Sequence, residues 1–105
     1  MPYVIWLDWI DVKKPESPTE MWREHHQTGY QVGCASSLES AREHFKALPK
    51  VSEEDLDEYG YPQNAIRAYE ARGVVYERYT IVECAEPTYA CGGEVIEEVW
   101  VQGSI

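Results

Sequence analysis

Two runs in the last third of the chain, residues 74–84 and 94–101, are long, rich in Val, Ile, Tyr and Trp, and separated by the turn-rich stretch 85–93 that ends in Gly92-Gly93. β-Branched and aromatic side chains at this density favour extended backbone, and paired glycines are hairpin turn chemistry. The pair therefore predicts two closing strands. Their polar residues read as outer positions and no catalytic signature accompanies them, so this part of the chain is a scaffold rather than a reaction centre.

The same logic applies at the start. Tyr3, Ile5, Leu7 and Trp9 alternate onto one face, while Val4, Trp6 and Ile10 leave Asp8 as the polar residue of the other. A strand apolar on both sides either lies centrally with both faces covered or presents an aromatic patch to a partner. Lys13-Lys14-Pro15 ends it. Ser17-Pro18-Thr19-Glu20 then combines an N-cap serine, proline at the first helical position and glutamate three residues after the cap, which predicts a short helix. Met21, Trp22 and His25 would share its face and Gly29 would stop it. Residues 30–35 read as a second strand.

Ser36 and Glu39 form another capping box, and Leu38, Ala41, Phe45 and Leu48 give an apolar stripe at helical spacing until Pro49. Residues 50–63 form an acidic excursion, in which Ser52 caps a single turn carrying Glu53, Glu54, Asp55, Asp57 and Glu58 before Gly60 breaks it. Pro62 or Asn64 opens a last helix with Ile66 and Tyr69 toward the core, and Gly73 sits where a left-handed C-terminal residue is wanted. There is no internal repeat. This order predicts one α+β domain over residues 1–105: an antiparallel sheet of about four strands with two or three helices packed mainly on one face.

Composition bounds the function. At 105 residues, about two thirds of the unfolded surface can be buried, enough for one core. Nine Lys and Arg stand against nineteen Asp and Glu, a net charge of −10. Such a field disfavours direct binding to phosphate backbones and steers the molecule toward basic surfaces, including those of proteins that bind nucleic acid. Cys34, Cys84 and Cys91 are odd in number and irregularly spaced, which suggests reduced thiols rather than a secreted disulfide framework. With no basic leader and no membrane-length apolar run, the expected location is the cytoplasm.

The candidate chemical motifs are incomplete. Residues 55–66 superficially match a calcium loop, but Tyr59 occupies the fifth position and Ile66 the twelfth, where an acidic bidentate ligand is needed. His25, His26, Cys34, His44, Cys84 and Cys91 supply zinc-type ligands without a C-x-x-C or H-x-x-x-H pair to pre-align them. A thiol nucleophile with a histidine base lacks a local signature, Cys91 being the thiol expected to be most exposed. Neighbouring carboxylates such as Glu53/Glu54 and Glu97/Glu98 point to different sides and do not make an acid/base dyad. No catalytic residue, metal or cofactor is assigned, and the chain is read as no enzyme.

What stands out is acidic charge: the excursion, with Glu94, Glu97 and Glu98 on the last strand, and four tryptophans, a residue type enriched at interfaces. In size, charge and lack of catalytic motifs the chain resembles small accessory proteins of phages and other mobile elements, among them inhibitors of host restriction or CRISPR machinery. That resemblance is one of bulk properties, and it implies a host-cytoplasmic setting. The expected function is an interaction module or inhibitor that seats against a basic, nucleic-acid-binding surface through Glu53, Glu54, Asp55, Asp57 and Glu58, with Trp6 as an apolar anchor. The alternatives are a small metal- or thiol-dependent enzyme or sensor, and a module that self-associates as a homodimer through the first strand.

Overall fold

The structure, a computed structural model, describes residues 3–84 and 93–104. Its elements are β1 (Tyr3–Lys13), β2 (Arg23–Ala35), α1 (Leu38–Arg42), a 3-10 turn (Glu53–Asp55), α2 (Ala65–Arg72), β3 (Val74–Glu83) and β4 (Glu94–Ser104). The strands form one sheet in the order β2-β1-β3-β4, each neighbouring pair antiparallel. The α+β class and four-stranded antiparallel sheet are those expected. The stretch expected to join the last two strands, with Cys91 and Gly92, lies outside the described residues. β1 is a central strand: Ile5 pairs with Gly33 on one side and Ile81 on the other.

The helix expected at Ser17 does not form. Its start signals make only a turn, in which the Glu20 amide donates to the Ser17 carbonyl at 3.1 Å and the Glu16 amide to the Glu20 carboxylate at 3.0 Å. From Arg23 the chain is strand, seven residues earlier than expected. His25, His26, Thr28 and Gly29 are all weak helix formers, and pairing with β1 satisfies their backbone while lining up 13 residues.

The helices do not lie mainly on one face, as expected, but cover both. Side chains along a strand alternate between faces. On one side of β3, Ile81 and Tyr79 pack with Ile5 of β1 and with Ala41 and Phe45 of the α1 region. On the other side, Tyr76 packs with Ala65 and Ala68 of α2, with Ile10, Val51 and Trp100, while Val82 packs with Val4, Cys84 and Trp6. The cause is visible in β1, where Val4 and Ile5 are adjacent and both fully buried. A strand apolar on both sides needs a separate cover on each face, because its successive side chains point in opposite directions.

Between the helices the chain passes the outer edge of β4, where the Gln102 amide donates to the Pro49 carbonyl at 2.8 Å and the Val51 amide to the Trp100 carbonyl at 3.0 Å. The caps differ from expectation in detail. Ser37, not Ser36, is the N-cap of α1, its hydroxyl accepting from the Ser40 amide. α1 is five residues long, with Phe45 carried on the turns that follow and Leu48 exposed. In α2 the buried positions are Ala65 and Ala68, while Ile66 and Tyr69 are half-buried; Gly73 closes the helix at φ +67° as the sequence predicts.

Two consequences are measurable. The β1–β2 register slips between Leu7 and Trp9, and a Cβ at Gly29 would fall 1.1 Å from the Leu7 carbonyl oxygen. Gly29→Ala must therefore displace backbone, and a loss of about 2–4 kcal/mol is expected. That is a fall in thermal midpoint of roughly 10–20 °C; an unchanged midpoint would show that the slipped pairing relaxes freely. Glu77 is half-buried on β3, and burial raises its pKa. The folded state thus holds its proton to higher pH than the unfolded chain. Stability is lost as pH rises from the ordinary carboxylate range, near about 4.3, through the raised folded value. Glu77→Gln is expected to flatten that part of the urea-denaturation pH profile and to leave the protein at least as stable at neutral pH. An unaltered slope would rule this out.

Candidate functional site

The acidic excursion folds as an ordered loop. Ser52 caps the 3-10 turn by accepting from the Glu54 amide, and the Asp55 amide donates to the Ser52 carbonyl at 2.9 Å. Leu56 packs against the Trp100 cluster and bridges to Pro62. Asp57 then closes the tip. One of its carboxylate oxygens accepts from the amides of both Tyr59 and Tyr61 at 2.9 Å, and its own amide donates to the Tyr61 carbonyl at 2.7 Å. Gly60, at φ +83°, supplies the left-handed residue this tight return needs. Gln63 fastens the base, its amide donating to the Asp55 carbonyl at 2.7 Å and its side chain to the Leu56 carbonyl at 2.8 Å.

This framework sorts the five carboxylates. Glu53, Glu54 and Glu58 are exposed, whereas Asp55 and Asp57 are half-buried. Asp57 ties the loop. Asp55 faces α2: burial pushes the Tyr76 phenol up, the Asp55 charge adds to the rise, and Arg72 opposes it. Among the described residues none of the five joins an ion pair; those pairs use Asp8, Asp11, Glu43 and Glu97. On β4, Glu94 and Glu98 are exposed, but Glu97 is held by the Arg42 fork through two contacts of 3.1 Å. Trp6 is half-buried with Val4, Val82 and Cys84, a cluster separate from the one that seats the loop. The structure therefore leaves Glu53 and Glu54 exposed on the 3-10 turn, Glu58 exposed at the loop tip, and Trp6 in a separate cluster.

The residues that lock this loop to the sheet were not singled out from sequence. Arg78 donates to both oxygens of Asp8 from Nε (3.0 and 3.3 Å) and to one from Nη2 (3.0 Å), and both side chains are under one fifth exposed. The guanidinium also lies 5.2 Å from the Trp100 ring centre and 5.7 Å from that of Tyr61. His26 Nε2 stands 3.2 Å from Asp8 Oδ1, with its ring 5.9 Å from Trp100. Burial pulls the Arg78 pKa down, but hydrogen bonds to Asp8 and Tyr61 and the charges of Asp8 and Glu98 outweigh it, so the net shift is upward. Tyr61 belongs to the loop and Trp100 to β4, so this cation joins the two. The available signal was an acid inside the apolar run of the first strand, Asp8, and an arginine inside the third, Arg78.

The other candidates do not converge. Among the described residues no three His, Cys, Asp or Glu side chains gather as metal ligands. The His44 ring covers Gly33, 2.5 Å from where a Cβ would stand, so adjacent Cys34 directs its side chain to the opposite face. Cys34 is free and exposed, but Cys84 is buried and disulfide-bonded, which corrects the expectation of reduced thiols at that position. Cys91 lies outside the described residues. No helix among the described residues is long and apolar enough to cross a membrane. Comparison with known proteins finds no matching family model, no matching curated protein and no matching solved structure.

Proposed function

We propose that this protein is an interaction module, an inhibitor in effect, that occupies a basic, nucleic-acid-binding surface of a partner protein. Glu53, Glu54 and Glu58 take the places of phosphates, and Trp6 supplies an apolar contact. The observation supporting this reading is that three exposed carboxylates, in no ion pair among the described residues, lie on a loop fixed by its own hydrogen bonds, on a molecule of net charge −10. Charge on an ordered frame spares the entropy of arranging a loose tail on binding, and the field of the whole molecule speeds encounter with a cationic partner.

Salt separates this reading from an apolar contact. The Debye length shrinks from about 10 Å at 0.1 M to about 3 Å at 1 M. Partner captured on the immobilised protein from a native extract is expected to be retained at the lower salt and released at the higher. Retention that is the same at both would contradict a charge-driven contact.

A further inference from the structure

Beside the acidic turn runs a groove of about 360 Å³, walled chiefly by Val51, Leu56, Tyr59 and Trp100, with Lys50 and Glu98 also bordering it. Tyr59 is 79% exposed, yet its amide is tied to Asp57 and the next amide, of Gly60, donates to the Asp57 carbonyl at 3.0 Å. An exposed aromatic ring held on a fixed turn is a low-entropy anchor for a partner.

Resting on the charge-capture reading above, we infer that this groove receives an arginine side chain of the basic partner. The apolar walls match the methylene stem of such a residue, and the Tyr59 ring offers a face to its planar guanidinium. Glu98 on the border of the groove supplies the opposite charge, in a molecule of net charge −10. The same region already holds one guanidinium in this manner, Arg78 against Trp100 and Tyr61. A lysine ammonium is more strongly hydrated and cannot stack as a plane, so it fits the groove less well. Lys50 is the like-charged wall residue, and it limits the affinity.

The test is amide and indole NMR of the full chain titrated with hexaarginine or hexalysine peptide, for wild type, Tyr59→Ala and Lys50→Glu. Hexaarginine is expected to move the Leu56 and Tyr59 amides and the Trp100 indole, and to bind about threefold or more tightly than hexalysine. Tyr59→Ala, at an exposed position, removes that preference, and Lys50→Glu tightens both peptides. Equal affinities with shifts confined to Glu53, Glu54 and Glu58 would overturn the arginine groove while leaving the charge-capture reading standing. No shift with either peptide would overturn both. Groove shifts that instead follow protein concentration without peptide would assign the groove to a second copy of the chain and overturn the inference.

Discussion

Changing Glu53, Glu54 and Glu58 together to lysine is expected to abolish capture of the basic partner while leaving the fold intact. Each replacement alters the charge by two, so three carry the molecule from −10 to −4. The change is confined to one loop. Like charges brought face to face across an interface cost several kcal/mol, so a loss of about a hundredfold or more in affinity is expected. The fold tolerates it because all three side chains are exposed and none is ion-paired among the described residues. Surface changes of this kind stay within about 0.5 kcal/mol each. Asp57 must be left alone in this experiment, since its carboxylate ties the Tyr59 and Tyr61 amides and its loss would unfasten the loop. Undiminished capture by a folded triple variant would remove the acidic turn from the account.

The second large effect concerns stability. Arg78→Ala is expected to cost about 2–4 kcal/mol in urea denaturation, somewhat below the range for a fully buried pair because both partners keep some solvent contact. Among the described residues it leaves the Asp8 carboxylate with the His26 contact alone, and it removes the cation between Trp100 and Tyr61. Amide exchange at Tyr61 and Gln63 should quicken as the loop loosens. Replacing both charges, as Asp8→Leu with Arg78→Met, is expected to recover most of the loss, because no charge is then stranded. A single variant as stable as wild type would show that the loop is seated by Leu56 and Val51 alone.

The contrast between these two sites shows how much could be read from sequence. The acidic turn is local: Ser52, the carboxylates and Gly60 lie within nine residues, so its cap and break are legible from spacing. The role of Asp57 is not, because it depends on the chain returning at Tyr61. The strands at both ends follow from alternation, and Gly73 from its place after a helical run. The helix expected at Ser17 fails for the opposite reason. Its capping signals are genuine and produce the local turn, but the open edge of β1 offers residues 23–35 a full ladder, and tertiary pairing outweighs a weak propensity. Placing the helices on both faces needed the consequence of adjacent Val4 and Ile5 both being buried to be carried through. The Asp8–Arg78 pair spans 70 residues of sequence, and only the β1–β3 register sets Asp8 opposite Arg78.

This protein and nucleic acid are expected to seek the same surface of the partner. The direct measurement loads the immobilised protein with captured partner at low salt and challenges it with duplex DNA or single-stranded RNA, with neutral dextran as control. Displacement by nucleic acid and not by dextran, lost together with capture in the Glu53/Glu54/Glu58 variant, is the predicted result. Partner that stays bound while taking up saturating nucleic acid would contradict the claim that the two compete.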